Sequence, residues 1–87
     1  KGRPYWVKKG HDVKALRAIG AGVYYLKLPL DLLVFFRGRT LLLELKEPQG
    51  RLTQAQEEFI ASWGGEVHVV RGPLEAVAAV IGKEAMR

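Results

Sequence analysis

Acidic residues rarely sit inside strongly apolar runs, and this chain has two such positions. Glu44 lies within Leu41-Leu42-Leu43-Glu44-Leu45-Lys46, and Asp31 stands directly before Leu32-Leu33-Val34-Phe35-Phe36. Two carboxylates and an ammonium brought together at one end of a hairpin are costly unless they pair with one another or hold a cation. The plain alternative is a cross-strand ion pair, Asp31 with Lys46, on an exposed face. The chemical alternative is a divalent-cation site. Mg²⁺ takes oxygen ligands in octahedral geometry and keeps several waters. Asp31 and Glu44 would supply carboxylates and Leu45 its backbone carbonyl. Lys46, two residues from Glu44 and so on the same strand face, would orient or deprotonate an attacking water, or stabilise charge on a phosphate.

That cluster exists only if the strands are in the right register. Between the two apolar runs lies Arg37-Gly38-Arg39-Thr40. With Gly38-Arg39 as a two-residue type II′ turn, Arg37 faces Thr40, Asp31 faces Lys46 and Leu33 faces Glu44. Directly paired residues project to one face, which recurs every second residue. Asp31, Glu44 and Lys46 then fall together, whereas a slip of one residue would separate Asp31 from the other two.

The remaining elements follow from periodicity and punctuation. The first ten residues, KGRPYWVKKG, show no clear period, and Gly2, Pro4 and Gly10 argue against a helix there. Asp12 is placed to cap a helix over 13–19, which Gly20 and Gly22 end. Strands are expected over 23–28, 31–36 and 41–46, with Pro29 marking a strand end or bulge. Thr53 caps a helix running to Trp63, with Gln56 at capping-box spacing and Gln56, Phe59, Ile60 and Trp63 on one face. Gly64-Gly65 stops it. A short strand over 67–70 completes a parallel βαβ unit, and Pro73 opens a last helix over 73–81, capped by Gly82. The fold class is α/β (α+β, mixed sheet): a four-stranded sheet of antiparallel hairpins and one parallel crossover, flanked by helices, in the order αβββαβα.

Composition bounds the function classes. With 87 residues, 48% apolar and 26% charged, the chain reads as one globular domain, 1–87, with a basic segment over 1–10. A domain of this size buries only roughly 60–65% of its unfolded surface, and it has no cysteine to staple it. No apolar run approaches the ~20 residues of a membrane span, and no secretory signal pattern is visible, so a cytoplasmic protein is expected. The net charge of +5 is uneven. Lys1, Arg3, Lys8, Lys9, Lys14 and Arg17 precede residue 18 against the single acid Asp12. Such asymmetry suits a polyanion, although a solvated terminus would look the same. Tyr5 and Trp6 among these cations are the residues a nucleic-acid arm would use for stacking, or Trp6 simply packs on the domain.

These residues also carry a family resemblance. Pro29-Leu30-Asp31, then Glu44-Leu45-Lys46, resembles the motif of PD-(D/E)XK nucleases. Gly50-Arg51-Leu52-Thr53, Gln56 and Gly65-Glu66-Val67-His68-Val69-Val70 resemble the VRR-NUC branch of that superfamily, over about residues 12–80. The resemblance implies a restriction-endonuclease-like αβββαβ core and hydrolysis of DNA phosphodiesters with Mg²⁺ or Mn²⁺. It implies metal binding by Asp31 and Glu44, the catalytic lysine role for Lys46, and a place beside the site for Gln56. Two departures stand out. Leu30 intervenes between Pro29 and Asp31, and the glutamate that such nucleases often carry in the first helix is missing. Asp12 is the nearest acidic substitute, against its reading as an N-cap. The candidate phosphate contacts are Lys8, Lys9, Lys14, Lys27 and Arg51, with Arg37 and Arg39 at the hairpin tip, against the plain readings of Lys27 as an exposed strand-edge lysine and of the turn arginines as solvated. By analogy with small relatives, a homodimer or other homo-oligomer is expected on branched, flap or four-way junction DNA. The alternative is a catalytically weak or inactive nucleic-acid-binding module with the same fold. A third reading is an oligomeric scaffold whose charges serve solubility.

Overall fold

The computed structural model describes residues 5–82, and for residues 5–8 the backbone alone. Lys1, Arg3 and the side chains of Tyr5, Trp6 and Lys8, named above as a nucleic-acid arm, lie outside the described residues. The elements are α1 (Tyr5–Ala18), β1 (Gly22–Tyr25), β2 (Leu32–Phe36), β3 (Arg39–Leu45), α2 (Gln54–Trp63), β4 (Val67–Val70) and α3 (Pro73–Ile81). They form an α+β domain with a four-stranded mixed sheet in the order β1-β2-β3-β4. β1, β2 and β3 are antiparallel neighbours, and β3 and β4 run parallel. Among the described residues no helix is long and apolar enough to cross a membrane.

Alternation along the strands makes one face of the sheet the core. Val23, Leu32, Val34, Phe36, Leu41, Leu43, Leu45 and Val70 are buried together with Val13 and Leu16 of α1 and Ala76 and Val80 of α3. The other, outer face carries Tyr24, Leu33, Phe35, Leu42 and Glu44, since these alternate with or pair across to one another.

The first helix corrects the sequence reading. It begins at Tyr5, not at Val13, and runs through Gly10. A helical glycine costs about 1 kcal/mol relative to alanine, but helices in proteins owe most of their stability to tertiary packing. Here that packing comes from Val13 and Leu16, which are buried against the sheet and α3. Asp12 therefore stands in the middle of the helix rather than at its N-cap. β1 also ends at Tyr25, short of the expected Leu28, and Pro29 lies in the loop that the Leu26 N–H to Asp31 C=O bond closes at 2.7 Å.

The hairpin register differs as well. Leu32 pairs with Leu43 and Phe36 with Arg39, so the loop is Arg37-Gly38 rather than Gly38-Arg39. Both loop residues have left-handed backbone, with φ 51° at Arg37 and 81° at Gly38, as a type I′ turn requires. The displacement is two residues, so every side chain keeps its expected face, and core burial does not distinguish the two registers. Arg39 does. In the observed pairing it joins the strand on the core side, where its guanidinium binds Glu66 and donates to the carbonyls of Ala79 (3.3 Å) and Val80 (2.5 Å) at the end of α3. That contact replaces the expected role of Arg39 at DNA. Arg37, with its guanidinium carbon 4.9 Å from the Phe36 ring centroid, is exposed at the tip.

Arg39 thus ties the start of β3 to β4 and to the C-terminus of α3, whose last carbonyls lack helical partners. Arg39→Met is expected to destabilise the fold by about 1–3 kcal/mol, read from urea unfolding. The guanidinium and His68 hold the Glu66 carboxyl below its usual range. This part of the stability is present above the unfolded carboxylate pKa and is lost as pH falls through the folded one.

Candidate functional site

β2 and β3 stop pairing in the ordinary way at Asp31. Its N–H still donates to the Leu43 carbonyl at 3.2 Å, but its side-chain Oδ2 then accepts from the Leu45 N–H at 2.8 Å. A carboxylate has taken the place of a main-chain acceptor at the end of the ladder. The observed register puts Glu44, not Lys46, opposite this point, which brings the two carboxylates closer than the expected pairing would. In an extended strand a residue's N–H and C=O point to the same edge, so the Leu45 carbonyl is directed to the edge where Asp31 lies. Leu30, the residue that separates Pro29 from Asp31, is buried at 1% exposure, so the displaced proline is absorbed by seating a leucine in the interior.

Glu44 is only 3% exposed. Its Oε2 accepts from Gln56 Nε2 at 3.0 Å and lies 3.2 Å from Lys46 Nζ, while its Oε1 is buried without a hydrogen-bond partner. Burial pushes its pKa up, and the charge of Asp31 beside it pushes further in the same direction, against the pull of Lys46. A buried carboxylate with an unsatisfied oxygen and a second carboxylate at its side is a donor set that a divalent cation would relieve. Among the described residues no three His, Cys, Asp or Glu side chains stand close enough to hold one ion. Mg²⁺ sites commonly use one or two carboxylates and take the rest of their shell from water and substrate phosphate, so Asp31, Glu44 and the Leu45 carbonyl fit that pattern.

Gln56 serves two partners. Its Oε1 accepts from the Thr53 N–H at 3.1 Å while its own N–H donates to Thr53 Oγ1, completing the capping box, and its Nε2 is left for Glu44. The cap of α2 and the site are thus joined through one amide. Gln56→Ala is expected to cost about 1–2 kcal/mol of stability. Gln56→Glu keeps the acceptor for the cap but removes the donor to Glu44. Its new carboxylate also faces the buried Glu44, so urea unfolding should show a loss in both variants, which for Gln56→Glu eases as pH falls and the carboxyls protonate.

Lys9 is the residue that sequence reasoning placed differently. It was expected at phosphate, but its Nζ contacts Asp31 Oδ1 at 2.5 Å, with the lysine side chain 25% and the aspartate 14% exposed. The spacing Lys9, Val13, Leu16 is that of one helical face, so a helix continued back through Gly10 would have placed Lys9 toward the sheet. Lys14, Lys27 and Arg51 are exposed.

Asp12 does not join Asp31 and Glu44. It is 5% exposed, its Oδ1 is buried without a partner, and burial raises its pKa to about 6 against the opposing effect of His11. It lines a cavity of about 120 Å³ between α1, the end of β3 and the start of α3, together with His11, Leu45, Lys46, Glu47 and Arg71. In comparisons with family models, characterised proteins and solved structures, nothing was found to match this chain.

Proposed function

We propose that the chain is a Mg²⁺- or Mn²⁺-dependent DNA endonuclease of the VRR-NUC type, hydrolysing phosphodiester bonds on a restriction-endonuclease-like core. The observation that carries this reading is the pairing of Asp31 with the buried Glu44 at the end of the β2–β3 hairpin, with one Glu44 oxygen unsatisfied. Asp31, Glu44 and the Leu45 carbonyl would hold the cation, which when bound supplies Lewis acidity and counter-charge at the phosphate. Lys46 neutralises Glu44 and brings a positive charge to the place where charge develops on the scissile phosphate. Gln56 fixes the Glu44 carboxylate in one orientation. The +5 charge draws a polyanion to the chain, with the exposed Lys14, Lys27 and Arg51 as phosphate contacts.

The test is incubation with linear, flapped and four-way junction DNA in Mg²⁺, Mn²⁺ or EDTA. Cation-dependent cutting is expected, and no cutting of any substrate would end the proposal. Faster cutting of flaps or junctions than of matched duplex identifies a structure-selective enzyme; a homodimer would set two such sites on a two-fold junction.

One observation favours a second reading, a DNA-binding module without chemistry. Each carboxylate already has an ammonium at hand, Lys9 at Asp31 and Lys46 at Glu44. Mn²⁺ titration discriminates between them: the binding module gives salt-sensitive DNA binding with no Mn²⁺ site that depends on Asp31 and Glu44.

A further inference from the structure

The outer face of the sheet is covered unevenly. At its β3 end, α2 reaches Glu44 through Gln56. Toward β1, the same face presents Tyr24 at 70% and Phe35 at 54% exposure. Tyr24 pairs with Leu33 and Leu33 with Leu42, so these rings share a face with Glu44 by strict alternation. Phe35 has only Gly22 and Thr40 as its directly paired neighbours on the flanking strands. Neither carries a side chain large enough to cover the ring.

Exposed aromatic rings of this kind have two ordinary uses, packing against another protein surface or stacking on bases. Charge decides between them here. A chain carrying +5 attracts a polyanion to its exposed surface. The exposed cation Lys27 stands in the loop before Asp31, at the carboxylate end of the strip. Phe35 is four residues from Asp31 along one strand, roughly 13 Å, within reach of the next few nucleotides of a chain whose phosphate lies at the carboxylates. A duplex keeps its bases stacked and offers these rings nothing, but a single strand offers a π-face at every base.

We propose that Tyr24 and Phe35 form a base-stacking platform that leads single-stranded nucleic acid to the carboxylate end of the sheet. The inference deepens the nuclease reading and rests on it for the position of the scissile phosphate. It makes the preferred substrate one with an unpaired segment beside the cut.

The experiment is fluorescence anisotropy of the full chain in EDTA, so that binding is read without cleavage. The probes are a labelled oligothymidylate, a sugar-phosphate oligomer of the same length lacking bases, and a blunt duplex. The wild-type chain should bind oligothymidylate about a hundredfold more tightly than the baseless oligomer, about tenfold for each ring. Tyr24→Ala and Phe35→Ala should each lose about tenfold on oligothymidylate and little on the baseless oligomer, and Phe35→Trp should retain binding. Equal affinity of the wild-type chain for the two single strands overturns the platform. So does a dimer, seen by sedimentation, that Phe35→Ala dissolves, because a second copy would then own the face. Base-dependent binding with no cutting in Mn²⁺ leaves the platform standing and removes the nuclease reading. Cutting with no base dependence does the reverse.

Discussion

Lys46→Ala is expected to lower DNA cleavage by about 10²–10⁴-fold while DNA binding changes little. A positioned charge or proton-transfer group is worth that much in a transition state, whereas one phosphate contact among several is worth far less in binding. The geometry gives the reason. Lys46 Nζ is 3.2 Å from Glu44 Oε2, on the face where Asp31 and Glu44 meet. Removing it deletes the positive charge nearest the proposed phosphate position and leaves two neighbouring carboxylates with one ammonium fewer. Glu44, already raised by burial and by Asp31, is then driven further toward its neutral form. Lys46→Arg keeps the charge but exchanges a compact ammonium for a planar fork, and is expected to recover only part of the rate. Circular dichroism and urea unfolding establish that both variants are folded. Undiminished cleavage by Lys46→Ala would remove this residue from the mechanism.

Asp12→Asn is expected to stabilise the fold by about 1–3 kcal/mol at pH 8. The Asp12 carboxyl is raised from 3.8 to about 6, and each unit of such a difference corresponds to about 1.4 kcal/mol. Because Asp12 is almost wholly buried, solvent screening removes little of this. Below pH 3.8 the group is protonated in both states and imposes no penalty. Between 3.8 and about 6 the unfolded chain releases its proton first, so folding stability falls as pH rises, and above 6 the deficit is constant. Urea unfolding at pH 4.5 and pH 8 should show this decline in the wild-type chain and a flatter profile in the asparagine variant. The Glu44 shift has the same sign and survives in the variant, while the lowered Glu66 opposes both. The difference between the two proteins is therefore the quantity to read.

Local signals were the legible part of this fold. The Thr53–Gln56 capping box and Pro73 at the start of α3 each act over a few residues, and each appears as expected. The face shared by Asp31, Glu44 and Lys46 was legible because it depends only on strand parity. What escaped depends on distant partners. The pairing of the hairpin was settled by Arg39 reaching across to Glu66 and the end of α3, a contact spanning some forty residues of sequence. The extension of α1 back through Gly10 carries the Lys9–Asp31 contact and the burial of Asp12, distant partners that outweigh a glycine that local propensity counts as a stop. Asp12 was read as a cap for the same reason, since its burial follows from where the helix docks and not from its neighbours in sequence. The capping half of the Gln56 amide's doubled use was legible from spacing, while its place beside Glu44 was implied only by the family resemblance.

The contact between Lys9 and Asp31 ties the first helix to the proposed cation site. A cation that takes Asp31 competes with the ammonium for the same oxygen, so occupancy of the site and attachment of the early turns of α1 are two sides of one equilibrium. The helix becomes a reporter: its amide hydrogens should exchange faster with solvent deuterium when Mn²⁺ is added, and the Lys9→Met variant should exchange quickly throughout. An anchoring residue that yields to a ligand in this way would leave the cation-free chain better ordered at its first helix than the cation-bound one, the reverse of the usual tightening on binding.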